Sequence, residues 1–102
     1  MHVRISKGSY PPQLHNKVSA RLNASSETLI PAIRRLSGCM SYFVGSDAAS
    51  NTMVNVSVWD TLEHAQAMSS LAEMTALGEE FARMGVTFER PIINYEAMWQ
   101  LP

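Results

Sequence analysis

Asn55, Trp59 and His64 are the residues of this chain whose types and spacing could do chemistry together. An asparagine amide can hydrogen-bond a substrate carbonyl or the anion that develops on it. A tryptophan ring can stack on an aromatic ligand. A histidine, with a reference pKa near neutral, can take a proton from a phenol. Each also has a structural reading. Asn55 could be an amide satisfied by a neighbouring strand or loop, Trp59 a core anchor at a strand end, and His64 a core or rim histidine. Two of the three lie on the stretch Thr52–Trp59, where Val54, Val56 and Val58 alternate with Met53, Asn55, Ser57 and Trp59. That period-two, β-branched pattern predicts a strand. One face is all valine; the other mixes a thioether, an amide, a hydroxyl and an indole. Such a strand is expected between a packed interface and a cavity, with Met53 and Ser57 as substrate-binding candidates. Met68, on the helix that follows, joins them. If the mixed face turned to solvent or to an interface, no pocket would form.

Other chemistries are excluded by what is missing. No two histidines have helical metal-ligand spacing and no carboxylate joins them in a cluster, so no metal site is expected. There is no serine nucleophile elbow, phosphate loop or dinucleotide fingerprint, and no cofactor is expected. Cys39 is the one cysteine, which rules out an intramolecular disulfide. Basic residues are scattered and the formal net charge is −1, which argues against a nucleic-acid surface or a polybasic membrane surface. The first residues, MHVRISKGSY, lack the apolar core of a signal segment, and no run approaches a membrane span. A cytoplasmic, reducing location is the expectation.

The 102 residues read as one domain, 1–102, with 46% hydrophobic and 17% charged residues. Val3 and Ile5 alternate with His2, Arg4 and Ser6 in a first strand, ended by Gly8-Ser9 and Pro11-Pro12. A helix starts near Gln13, with Leu14, Val18, Leu22, Ser25, Leu29, Ile33 and Leu36 on one stripe. Pro31 predicts a kink or restart around Glu27 to Ile30, and Gly38 a stop. Cys39 to Ser46 reads as a second strand, and GSDAASNT (Gly45 to Thr52) as the hairpin loop before the valine strand. Asp60 and Glu63 have capping-box spacing. His64, Met68 and Leu71 share a helix side. A further helix from Thr75 to Gly85 carries Leu77, Phe81 and Met84, and Ile92 to Trp99 forms the last strand.

The order β-α-β-β-α-β predicts an α+β, ferredoxin-like domain: a four-stranded antiparallel sheet with its helices on one face. The valine face would then be bare. Burying a few hundred Å² of apolar surface at ~25 cal/mol per Å² is worth several kcal/mol before association costs, so a homodimer packed sheet to sheet is expected.

With these elements in place the chain resembles the antibiotic-biosynthesis-monooxygenase-like domains of the dimeric α+β barrel superfamily. The resemblance spans nearly the whole chain. It is carried by Gly38-Cys39 at the start of the second strand, the polar loop, and Val56–Met68, VSVWDTLEHAQAM, with Trp59-Asp60-Thr61 at the strand end. The family includes cofactor-independent oxygenases of aromatic polyketides, haem-degrading enzymes, and members without known activity. The haem-degrading branch is the poorer match. It uses an Asn in strand one and a Trp and a His in the second helical region; here strand one has no Asn, Met68 stands near the Trp position, and Leu71 to Phe81 contains no His. In the polyketide-oxidising branch an Asn and a Trp four residues apart on strand three line the cavity. Asn55 and Trp59 have that spacing, while the accompanying Tyr falls near Ala65, next to His64. The resemblance implies a cofactor-independent monooxygenase acting on a small aromatic or quinol-like molecule. The alternative is a non-catalytic, ligand-binding or stress-associated protein on the same barrel.

Overall fold

A computed structural model describes all 102 residues. The elements are β1 (His2–Ser9), a 3₁₀ turn (Pro12–Leu14), α1 (His15–Arg34), β2 (Cys39–Asp47), β3 (Thr52–Trp59), α2 (Leu62–Ala67), a second 3₁₀ turn (Met68–Ser70), α3 (Ala72–Met84), β4 (Thr87–Phe88) and β5 (Ile93–Glu96). All strand pairs are antiparallel. The sheet runs β2-β3-β1, and the far edge of β1 is shared by β4 and β5. This is the α+β, ferredoxin-like arrangement the element order predicted.

The expected last strand is divided. β4 pairs with Gly8 and Ser9, β5 with His2 to Ile5, and Glu89–Ile92 crosses between them. Pro91 has no N–H to give a ladder, so the crossing falls there. Trp99 lies past the strand, in an exposed tail. Pro31 does not restart α1, which is one helix from His15 to Arg34. The carbonyl that loses its donor belongs to Glu27, and both residues are exposed, where an unpaired carbonyl costs little. α3 starts three residues earlier than Thr75 because the Leu71 carbonyl accepts from both Met74 and Thr75.

The cap of α2 is also displaced from its predicted place. Thr61, not Asp60, is the N-cap, its hydroxyl accepting from the His64 backbone N–H at 3.1 Å. Asp60 is committed elsewhere: its N–H donates to the Gly38 carbonyl at 3.0 Å, and its carboxylate holds the His64 ring. Gly38 has φ +85°, and a Cβ there would overlap both the Asp60 carboxylate and the His64 imidazole. The glycine that stops the helical region thus also seats the start of α2.

The core lies between sheet and helices. Val18, Leu29, Ala32 and Ile33 of α1 meet Met53 and Trp59 of β3, with Ala65, Met68, Leu71, Leu77 and Phe81 completing it. The mixed face of β3 is the inner one. β1 follows this register: Arg4 pairs with Ser57 and Ser6 with Asn55, so Arg4 and Ser6 point inward, while Val3 and Ile5 share the outer face with Val58 and Val56. Phe43 of β2 and Ile93 and Tyr95 of β5 join that outer face by register. Phe43 is 64% exposed and Tyr95 51%. No helix of the structure is long and apolar enough to cross a membrane.

Candidate active site

Two adjoining spaces lie on the inner face of the sheet. The outer one is a groove of about 940 Å³ between α1 and the edge strand β2. The inner one is a cavity of about 70 Å³ between the sheet, α1 and α3. Leu22, Ser25, Leu29, Tyr42 and Val44 line both, so the groove and the cavity adjoin at these residues. Most of the cavity wall is apolar, with Met53, Met68, Met74, Leu77 and Phe81 prominent.

Of the sequence-predicted residues, Asn55, Met53 and Met68 reach this wall. Side-chain bonds nearby join Arg4 to Ser69, Trp59 to Ser57 and Arg90 to Ser6; none involves the Asn55 amide, which faces the cavity with its donors and acceptor free.

Ser57 and Trp59 share the inner face but do not line either space. Both are fully buried, and the indole N–H donates to the Ser57 hydroxyl at 2.8 Å. This pairing satisfies two buried polar groups at once and makes Trp59 a core anchor, not a stacking surface.

His64 is placed away from both spaces. Its Nδ1 lies 2.6 Å from the Asp60 carboxylate and its side chain is 39% exposed. The His64 hydrogen bond is the main reason that the Asp60 carboxyl titrates below its ordinary range. Helix periodicity put His64 on the side of Met68 and Leu71, but it stands in the first turn of α2, where Asp60 draws the ring outward.

Sequence reading missed the polar residues that do reach the cavity: Arg4, Ser6, Tyr42 and Arg90. Arg4, Ser57 and Tyr42 fall on one row across β1, β3 and β2, with Asn94 of β5 at its other end. The Tyr42 hydroxyl and the Asn94 side-chain oxygen are buried without a hydrogen-bond partner. Burial pushes the Tyr42 phenol well above its ordinary range, with Arg4 opposing, so it remains a neutral donor. Alternation in β1 was visible in the sequence; that its polar side is the inner one was not. No group of three or more histidine, cysteine or acidic side chains is arranged to hold a metal ion.

Neither a family model nor a curated protein sequence matches the chain. Solved structures do. A Deinococcus radiodurans protein with the provisional name antibiotic biosynthesis monooxygenase superposes with a TM-score of 0.75 at 21% identity, over 100% of this chain and 97% of that one. The chain has the antibiotic-biosynthesis-monooxygenase-like fold. A Nitrosomonas europaea protein with the same provisional name matches this monooxygenase-like fold at TM-score 0.71 and 16% identity, over 96% and 90% of the two chains. SnoaB, a cofactor-independent oxygenase from Streptomyces nogalater, gives 0.63 and 17%, over 99% and 96%.

Proposed function

We propose that this monooxygenase-like chain is a cofactor-independent oxygenase of a small aromatic or quinol-like compound, working as a cytoplasmic homodimer. The observation that carries the reading is the unpaired Asn55 amide at the wall of a largely apolar cavity that adjoins a groove. The fold it shares with SnoaB, named as a cofactor-independent oxygenase, supports it. The groove has room for a planar ring system. In the chemistry proposed, an acidic CH₂ of the substrate gives up a proton and the carbanion passes one electron to O₂. The two radicals combine to a peroxide, which takes a proton and loses water. One oxygen atom stays as a new carbonyl and the other leaves as water. Asn55 and the Tyr42 hydroxyl hold the negative charge on the ring oxygen while the apolar wall excludes water.

Oxygen uptake with anthrone- and quinol-like substrates tests this. Turnover above the uncatalysed rate, unchanged by chelators, is expected. Asn55→Ala should lower it by about tenfold or more with the assembly state unchanged. Full activity in that variant would remove Asn55 from the site.

One observation favours a second reading, a ligand-binding protein without catalysis. No histidine or carboxylate lines the cavity, so the chain supplies no general base there. That reading predicts binding of the same compounds with no oxygen consumed.

The dimer rests on the outer face. Ile5, Phe43, Ile93 and Tyr95 are exposed there beside Val54, Val56 and Val58, which are only partly covered. Packing against a second copy removes this apolar surface from water.

A further inference from the structure

Arg4 is 5% exposed, yet it has no acidic partner. The ion pairs of the chain are Arg21–Glu80, Arg35–Glu73 and His64–Asp60, and none reaches it. Its one hydrogen bond goes to the Ser69 hydroxyl at 3.4 Å. A guanidinium carries five N–H donors, so most of its capacity is unused. A second guanidinium, Arg90, lies on the same cavity. Its Nη1 donates to Ser6 at 3.4 Å and to the Glu89 carbonyl at 2.8 Å, and its plane sits 4.8 Å over the Phe88 ring. It too lacks a carboxylate. The buried Arg4, the solvent-exposed Arg90 and the unpartnered Tyr42 hydroxyl therefore border a space with no anion in its wall.

A buried cation without a counter-charge is costly, and a protein can retain one where a ligand completes it. The geometry points to a ligand whose anionic oxygen enters the inner cavity between Arg4, Tyr42 and Asn55, while its planar ring lies in the groove between α1 and β2. About 70 Å³ admits a carboxylate or a single ring oxygen but no fused ring, and about 940 Å³ admits the ring system. The assignment rests on reading this cavity as the substrate site. It adds the substrate class: an aromatic acid, or an aromatic whose own phenolate oxygen is the anion. Burial pushes the Arg4 pKa down, Tyr42 opposes that, and Arg90 adds a smaller push in the same direction as burial.

The test is binding, which needs no turnover. The full-length protein is titrated calorimetrically with 1-hydroxy-2-naphthoate, with its methyl ester, and with 2-naphthol. A ring carboxylate as the anion predicts that the acid binds about tenfold tighter than the ester. A phenolate as the anion predicts that bound 2-naphthol ionises about one pH unit or more below free 2-naphthol, read from the naphtholate absorbance. In either case Arg4→Met removes the effect and Arg4→Lys restores part of it. The wild-type comparison alone decides if a variant does not fold. Acid and ester bound alike with no shift in naphthol ionisation, an effect that survives in Arg4→Met, or no binding of any of the three would overturn the anion site. Oxygen uptake by the same samples is scored separately, so an anion site without oxygenation, or oxygenation without an anion site, is each recognisable.

Discussion

At the scale of residues, the inner face of the sheet separates two duties that the sequence places side by side. Ser57 and Trp59 close on each other and belong to the core; Asn55, two positions from Ser57, stays open to the cavity. Trp59→Phe should therefore act on stability. It leaves the buried Ser57 hydroxyl unpaired and opens a small void, an expected cost of about 2 kcal/mol in denaturant unfolding, with ligand affinity unchanged. Arg4→Met should do the reverse. Replacing an uncompensated buried cation by an apolar chain of similar length is expected to stabilise the free protein by about 1–3 kcal/mol in the same measurement. His64 belongs with the surface groups, and its pairing has a pH signature. Asp60 titrates below its ordinary value in the folded chain, chiefly through His64. A depressed carboxylate contributes stability that is fully present above its unfolded pKa of about 4 and is lost as pH falls through the lower folded value. Melting temperature should fall across that acid window, and less steeply in Asp60→Asn.

At the scale of elements, the helix boundaries show which local signals prevailed. Capping chemistry was legible in Asp60-Thr61-Leu62-Glu63, but two residues competed for the same role, and the bonds of Asp60 to Gly38 and to the His64 ring left it to Thr61. Thr61→Ala should then cost about 1 kcal/mol by thermal unfolding, as loss of an N-cap does. Gly38→Ala is expected to cost more, because it combines a positive φ with overlap on Asp60 and His64. Pro31 predicted a kink or a restart, and α1 runs through it without a restart, at a place where Glu27 and Pro31 are both exposed. The divided last strand was beyond periodicity. β4 is two residues long, and its place is set by the partner positions Gly8 and Ser9 on β1. A Cβ on Gly8 would press on Val86 and Phe88, so that close approach is specific to glycine.

At the scale of the whole molecule, the sheet has a helix-covered face and an apolar face left open. The proposed dimer places a second sheet on the open face. Phe43→Lys, at a position 64% exposed in the single chain, is expected to leave the chain folded by circular dichroism and to shift sedimentation from dimer to monomer. A monomeric wild type would remove the sheet-to-sheet dimer. By itself the sequence determined the elements, their order and the α+β, ferredoxin-like class, because hydrophobic periodicity and glycine and proline signals are local. It also determined that Asn55 shares a face with Met53, Ser57 and Trp59, since strand alternation fixes that within one segment. Only the tertiary structure decided which of these reach a cavity. It turned the polar side of β1 inward, brought Arg4, Tyr42 and Arg90 to one space from three distant segments, and drew His64 away to Asp60. The first two outcomes depend on cross-strand register between residues far apart in the chain, which no single stretch of sequence encodes; the His64–Asp60 pair is a local contact that won over helix periodicity.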